Sequence, residues 1–434
     1  MNRLGGAVAL VALAVAGCSD PSPIALPEQT LVSLGREVVW TTDEPTLGVV
    51  RYGFTSGKYD RVAYPSAVDR EDKSFSTEHR VTLFSWEPGR TIFLQLMDMT
   101  SDQRLAISRE DSIRVDTPAP DGPILEWTMI DVGWGDAHLL TMPNTGKRIL
   151  IDAGERRDWE NVRRYFEAEE ITSLDVVVGT HIHIDHMGGL VGSSSLSDDG
   201  VLGALDVGLF LDSPNKSASR SVHGEVLAAA RDQGTEIDTV YAGDSHLTRD
   251  VLVWDPEVKV QVWNSGDGRL NAGDSNDEGA LLNNDSIVLR VSFRNVDIVM
   301  GGDAEAATEG AVLDRHDETG GELESELLKI HHHGRDDASS KVFLDRVNAR
   351  VGLIPTVRLE LPYQGETLRR MSDRFMDIYA SDLAIPLGID LTGDDGHHVR
   401  MVTDGVGYEI IAIPSDSFHA PNKPSLEDAG AIEP

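Results

Sequence analysis

Thr180-His181-Ile182-His183-Ile184-Asp185-His186-Met187-Gly188-Gly189 places three imidazoles and a carboxylate within six residues, directly behind the mostly apolar, Val-rich run 174–178. A strand that delivers such a loop at its carboxyl end aims several ligands at one point. Neutral imidazole with carboxylate suits Zn²⁺ or a neighbouring first-row metal. In extended geometry His181, His183 and Asp185 share one side and His186 turns toward a second centre, so the stretch is suited to two adjacent metals. Histidine is uncommon, and each of these residues, if buried without a metal, needs a partner of its own.

Further blocks flank the loop. Upstream stand Ile130-Asp131-Val132-Gly133-Trp134-Gly135-Asp136-Ala137 and Gly146-Lys147-Arg148-Ile149-Leu150-Ile151-Asp152-Ala153-Gly154. Downstream stand Asn283-Asn284-Asp285-Ser286-Ile287-Val288-Leu289, Met300-Gly301-Gly302-Asp303-Ala304-Glu305 and Leu327-Leu328-Lys329-Ile330-His331-His332-His333-Gly334. His-x-His-x-Asp-His after a hydrophobic strand resembles the signature of the metallo-β-lactamase fold superfamily. The flanking blocks resemble, in the same order, the hydrolase domain attached to the DNA-uptake channel protein ComEC, over residues 124–410. That branch reads Asp-Val-Gly-Gln-Gly-Asp-Ala, so Trp134 is a departure from it.

The resemblance implies an αββα sandwich and a set of roles. His181 and His183 would bind a first metal, Asp185 and His186 a second, and Asp303 would bridge the two. His332 aligns with the first His of the branch's His-His-Gly and is expected to be the last ligand. His333 is expected to be a catalytic, substrate-facing group, with Asp185 serving catalysis as well as binding. Asp136 and Asp152 are expected to orient ligands, and Lys329 and Arg335 to be ordinary surface charges or, alternatively, to meet an anionic substrate group. Two Zn²⁺ are expected, with Mn²⁺ as the alternative. A third histidine for the first metal is missing: between Gly189 and Asp303 only His223 and His246 occur. The corresponding position falls near Asn284, Asp285 and Ser286. The first metal would then have fewer protein ligands, use Asp285, or bind weakly. Such a pair of cations, about 3.5–4 Å apart, holds a bridging hydroxide for in-line attack. The chain has no Gly-x-Ser-x-Gly elbow and no Walker motif.

The 434 residues exceed one ordinary domain, and the formal charge of −35 disfavours a sequence-independent nucleic-acid partner, because an acidic surface repels phosphate backbones. Residues 1–18 have a short basic start, an apolar stretch too short to span a bilayer, and Val15-Ala16-Gly17-Cys18. They resemble a bacterial lipoprotein signal, which implies cleavage before Cys18, lipid attachment to it and export to the cell envelope, with the membrane met through the lipid alone. Cys18 is the only cysteine, so no disulfide is expected. Residues 19–28 read as a tether.

Residues 29–116 carry short alternating runs punctuated by Gly, Pro and Asp, the pattern of an all-β sandwich. Trp40 before Thr-Thr-Asp-Glu-Pro, with Glu87-Pro88-Gly89-Arg90-Thr91 later, resembles a fibronectin type III module, and Trp40, Tyr52 and Trp86 are assigned to its core. Residues 117–123 form a Pro-rich linker, and 415–434 a polar tail expected to be disordered. The hydrolase domain, 124–414, alternates strands and helices. Helices are expected at 159–168, 222–233, 322–327, 341–347 and 368–379. Three functions compete: a lipid-anchored metal hydrolase of phosphodiesters, a metal hydrolase of carboxylic esters, lactones or amides, and a non-catalytic binding module.

Overall fold

In the computed structural model the described residues are 29–33, 37–65, 75–84, 89–115, 122–193, 199–214, 221–266, 282–356, 361–381, 383–385 and 396–415. Cys18, the tether, Trp86 and the tail beyond Ser415 lie outside them, as does Arg358, which with Lys329, Arg335, Arg369 and Arg370 is a sequence candidate for a basic groove. No helix among the described residues is long and apolar enough to cross a membrane.

The chain opens with seven strands: β1 (Gln29–Ser33), β2 (Glu37–Gly53), β3 (Arg61–Tyr64), β4 (Ser76–Thr82), β5 (Arg90–Thr100), β6 (Leu105–Ile107) and β7 (Asp111–Val115). β2 is one 17-residue strand where the sequence suggests two runs. Trp40 and Tyr52 are buried in a core with Val38, Val50, Val81, Ile92 and Leu94, as their assignment predicts.

Next come β8 (Leu125–Met129), β9 (His138–Thr141), β10 (Arg148–Ile151), α1 (Trp159–Ala168), β11 (Ser173–Val178), α2 (Ile184–Val191), α3 (Gly200–Ala204), β12 (Asp206–Asp212), α4 (Ser221–Gln233) and β13 (Glu236–Thr239). Then follow β14 (Val258–Asn264), β15 (Val288–Phe293), β16 (Val296–Met300), α5 (Ala306–Thr319), β17 (Leu327–Lys329), α6 (Lys341–Val347), β18 (Val351–Ile354), α7 (Leu361–Ser372), β19 (Asp377–Ala380) and β20 (Leu383–Ile385). The antiparallel pair β21 (His397–Thr403) and β22 (Tyr408–Pro414) closes the fold.

The second sheet runs β14-β15-β16-β17-β18-β19-β20, and the first runs β13-β12-β11-β10-β9-β8-β21-β22 before continuing into β3, β2 and β5. Three cores follow from this stacking. One lies between the sheets, with Trp127, Ile149 and Val176 facing Val260, Ile298 and Leu327. A second packs α1 to α4 on the outside of the first sheet through residues such as Trp159, Phe166, Leu190 and Val226. The third packs α5 to α7 on the second sheet through Val312, Phe343 and Met371. Every residue of β15 and β16 is buried, as strands covered on both faces require. This is the expected αββα arrangement.

Two helix expectations fail. Residues 322–327 are not helical: Glu326 exchanges backbone hydrogen bonds with Asp297, Arg350 and Val351 and leads into β17. The helix lies earlier, at α5, whose buried face is Thr308, Glu309 and Val312 and so shows no apolar stripe. The helix expected at 368–379 is α7, which ends at Ser372. Phe375 adopts a left-handed φ of 54°, and the apolar residues that continue the helical spacing belong to β19. Most of the expected linker, 117–121, lies outside the described residues; β3 pairs with β22, and Leu47, Val49, Val62 and Tyr64 join the core between the sheets.

Candidate metal centre

The chemistry-bearing residues gather at one edge of the two sheets, on the connections that leave β8, β10, β11, β16 and β17. Asp152 follows β10 in a left-handed conformation, φ 57°. Its Oδ1 accepts the Thr180 N–H at 2.8 Å, and its Oδ2 accepts the Thr180 hydroxyl at 2.6 Å and His186 Nδ1 at 2.8 Å. Asp152 thus fastens the end of β11 and fixes the His186 ring, the ligand-orienting role expected of it.

The extended alternation of the histidine loop ends at His183, the N-cap of α2. Asp185 and His186 therefore project from a helical first turn, where a carboxylate is also favoured by the helix dipole. Glycine seats this helix. A Cβ on Gly189 would lie 2.0 Å from Ala153 O, and one on Gly188 2.6 Å from Arg156 N.

Asp303 follows β16, with Gly302 at φ 49° and its own N–H on Ser286 Oγ at 3.2 Å. Its Oδ2 is the focus of the site: His186 Nε2 lies at 3.1 Å, His333 Nε2 at 3.3 Å, His332 Nε2 at 3.8 Å and His181 Nε2 at 4.0 Å. His183 Nδ1 lies 3.1 Å from His181 Nε2, and Asp185 Oδ2 lies 3.4 Å from His333 Nε2. The six residues predicted to bind metal thus form one cluster: His181, His186 and His332 face Asp303 Oδ2, His183 adjoins His181, and Asp185 adjoins His333.

His181 Nδ1 lies 3.2 Å from Thr180 Oγ1, and for three more of the imidazoles the far nitrogen is tied back to oxygen. His186 Nδ1 is held by Asp152, His332 Nδ1 by Asp337 Oδ1 at 2.9 Å, and His333 Nδ1 donates to Pro355 O at 3.0 Å. Each therefore presents Nε2 inward, the tautomer a metal ligand needs. His332 and His333 both adopt left-handed backbone conformations, φ 49° and 52°. Such strain costs about 1–3 kcal/mol per residue and persists only where surrounding bonds enforce it. Here Gln364 Nε2 donates to His333 O at 2.6 Å, and the Arg335 N–H donates to His332 O at 2.8 Å.

The sequence expectation gave the ligand role to His332 and a substrate-facing role to His333. Geometry brings both to Asp303, with His333 the closer and fully buried. Asp136, His186, Asp303 and His333 form one group of potential ligand atoms within 4.8 Å of one another; Glu305, His332 and Asp337 form another. Glu305, Asp337 and the ligand-like position of Asp136 were not read from sequence. Only the Asp-Ala-Glu after the glycine pair carries a local signal for Glu305. His331 turns away, its Nδ1 on Glu309 Oε1 at 2.9 Å. His223 pairs with Asp212 at 2.8 Å, and Asp285 packs beside Gly266 and joins neither group.

Lys329 corrects a further expectation. It is fully buried and meets no substrate: Nζ donates to Gly302 O at 2.5 Å, lies 2.7 Å from Asp136 Oδ2 and 3.6 Å from Asp303 Oδ1. It is a fixed cation beneath the site. Burial alone would raise the Asp136 carboxyl, but Lys329 and His186 hold it well below the usual carboxylate range. Asp303 is likewise pulled down against burial by His186, His333 and His332. Asp185 is lowered against burial by His186 and His333. Burial would lower His186, but Asp303, Asp152 and Asp136 raise it well above its ordinary value, and Asp303 and Asp136 do the same for His333. His181 and His183 are lowered by burial.

The donors fit a transition metal. His186 Nε2, His333 Nε2, Asp303 Oδ1 and Asp136 Oδ1 are buried without a hydrogen bond of acceptable geometry among the described residues. Four carboxylates, Asp136, Asp152, Asp185 and Asp303, crowd a space where Lys329 is the one permanent cation among the residues named. A divalent cation would satisfy both deficits, with His186 and His333 giving up a proton to it.

The chain is similar to several known proteins. ComE operon protein 3 of Bacillus subtilis (strain 168) is 24% identical over 247 residues, covering 53% of this chain and 28% of the relative. The uncharacterized protein YcaI of Escherichia coli (strain K12) is 27% identical over 254 residues, covering 56% of this chain and 26% of the relative. The chain thus spans little more than a quarter of the length of these curated relatives. A solved metallo-β-lactamase of Hirschia baltica aligns with 57% of this chain and 88% of its own, at 10% identity and a TM-score of 0.25. The family description Metallo-beta-lactamase superfamily matches residues 130–356, just over half of the sequence, and the chain belongs to that superfamily.

Proposed function

We propose that this chain is a metal-dependent hydrolase of small phosphodiesters, held at the bacterial cell envelope by lipid on Cys18. The observation that carries the hydrolase reading is the convergence of four imidazole Nε2 atoms within 4.0 Å of Asp303 Oδ2. His181, His183, Asp185, His186, Asp303 and His333 would hold the metal, with His332 at its margin and Asp136 beneath. When bound, Zn²⁺ or Mn²⁺ there makes water a nucleophile near neutral pH and polarises a phosphoryl oxygen. The protein's own part is to orient and to exclude water. Asp152 fixes His186, Pro355 O fixes His333, and Lys329 holds Asp136 and Asp303 at a set separation. Asp185, ionised and partly open to solvent, is placed to accept a proton from an attacking water.

The ComEC-like blocks support phosphodiester over carboxyl chemistry. Charge supports a small substrate over long nucleic acid. Arg335 pairs with Asp337 at 3.5 Å, Arg369 pairs with Glu366 and Asp373, and Arg370 is spent on the carbonyls of Asp336, Ala338 and Ser339. With Lys329 buried, these residues offer no basic groove for a phosphate backbone.

The full chain, supplied in turn with Zn²⁺ and Mn²⁺, should hydrolyse bis(p-nitrophenyl) phosphate with a rate that changes little with ionic strength, and cut single-stranded DNA slowly at most. Efficient, steeply salt-dependent DNA cleavage would overturn the choice of a small substrate. Hydrolysis confined to lactones or β-lactams would remove the phosphodiester reading. Cys18→Ser should move the protein from the membrane to the soluble fraction.

A further inference from the structure

Trp134 is one of the residues at which this chain departs from the branch's pattern, and its setting is that of a platform. The indole is only partly buried and belongs to none of the hydrophobic cores, in contrast to the fully buried Trp127 and Trp254. Its ring packs against His333, centroids 4.8 Å apart at 42°, so it stands directly beside the Asp303 cluster.

The segment that carries it is rigid. Gly133 and Gly135 have φ of 75° and 119°, and the Gly133 N–H donates to Asp131 Oδ1 at 3.1 Å. The Asp136 N–H donates to Asp185 O at 3.2 Å, and a Cβ on Gly135 would lie 2.4 Å from that same oxygen. The backbone on both sides of Trp134 is therefore held, on one side against Asp185 of the histidine loop, while the ring itself lies against His333. Ile184, between two of that loop's site residues, is 49% exposed. A stiff aromatic face and an exposed aliphatic side chain thus flank a site whose neighbouring arginines are already paired.

We infer that Trp134 is a specificity-determining residue that stacks a planar aromatic ring, such as a nucleobase, on the non-leaving arm of the phosphodiester. This rests on the proposed hydrolase reading. Binding energy that an acidic surface cannot draw from phosphate contacts is drawn from ring stacking, which tolerates any base because each has a π-face.

Two substrates with one leaving group test it: thymidine 5′-(p-nitrophenyl phosphate) and methyl p-nitrophenyl phosphate. In both, water adds to phosphorus, the P–O bond to p-nitrophenol breaks and p-nitrophenolate is released. The metal-loaded full chain should prefer the thymidine ester in kcat/KM by roughly tenfold, mainly through KM. Trp134→Gln, which restores the branch residue, should bring the ratio of the two substrates close to one. Trp134→Phe should keep most of the preference. A ratio near one in the wild type, or one that Trp134→Gln leaves intact, overturns the inference while the hydrolase stands. If neither diester is cleaved, the phosphodiesterase reading falls, and quenching of tryptophan fluorescence by thymidine 5′-monophosphate decides the ring. Quenching that is lost in Trp134→Gln upholds the platform, and identical titrations overturn it.

Discussion

At the scale of single residues the site is a problem in orienting imidazoles, and Asp152 shows how it is solved. One carboxylate accepts the Thr180 N–H, the Thr180 hydroxyl and His186 Nδ1, so it fixes both the loop that carries the ligands and the tautomer of one of them. Asp152→Asn keeps the shape but puts an amide among donors. The substitution should weaken metal binding by about 10–100-fold while the fold persists, as changes to groups that orient metal ligands do. Competition with a chromogenic chelator reads this directly, and an unchanged affinity would show that His186 is oriented by Asp136 or Asp303 instead. Most of the site was legible residue by residue, because His, Asp and Gly at these spacings have few other uses. Lys329 was not: a lysine at the end of an apolar strand looks like a surface charge. Only the fold shows that Asp136 and the Gly302 carbonyl wait for it inside.

At the scale of elements, the two glycines that close the histidine motif are as necessary as its ligands. α2 lies against the 153–156 backbone so closely that a methyl group on Gly189 would sit 2.0 Å from Ala153 O. Gly189→Ala should therefore push α2 off its seat, carrying Asp185 and His186 with it. The expected cost is about 3 kcal/mol or more, at the upper end for overpacking a core, with loss of metal stoichiometry. Urea unfolding followed by metal analysis checks both halves. Elements held by apolar packing were legible in the sequence: α1 buries Trp159, Val162, Tyr165 and Phe166 at helical spacing and was placed at its observed bounds. α5 was missed because its inward face is made of polar contacts. Thr308 Oγ1 donates to Asn284 Oδ1 at 2.7 Å, and Glu309 accepts from the backbone N–H groups of Ser339 and Ser340 at 2.6 and 2.8 Å. A helix held by hydrogen bonds leaves no periodic hydrophobic signal.

At the scale of the whole molecule, the closing hairpin joins the N-terminal strands to the metallo-β-lactamase fold, and two consequences follow. The first concerns acid. His398, on β21, is buried against Tyr165, and its Nδ1 accepts the Asp131 N–H at 2.9 Å, so the ring must be neutral there. Burial, opposed by Asp131, pushes its pKa down to about 4 from the usual 6.5. The folded state therefore refuses a proton that the unfolded chain accepts. The stability tied to this group is complete above pH 6.5 and is lost as pH falls toward 4, by roughly 3 kcal/mol in all. Lowering pH also relieves repulsion in a chain of formal charge −35, so only a comparison isolates the histidine. His398→Gln should lose less stability than the wild type between pH 7 and 5 in parallel urea titrations.

The second consequence concerns the boundary that the Pro-rich segment suggests. Residues 61–64 of β3 run antiparallel to 408–411 of β22, so cutting at the linker would expose a sheet edge. Leu47, Val49, Val62, Tyr64 and Met97 would leave the core they share with Trp127 and Val399. Glu409, fully buried, would lose the Tyr52 hydroxyl and the Phe84 N–H at 3.2 Å. An unpaired edge beside a stripped apolar face is a template for association between copies. A chain beginning at residue 122 should therefore aggregate or melt well below the full-length protein, and size-exclusion chromatography with thermal unfolding decides the matter. A monomeric fragment with the full-length melting temperature would mean that β3 and β22 only touch. The fragment and the full chain should then also bind metal alike, since no ligand comes from the first seven strands.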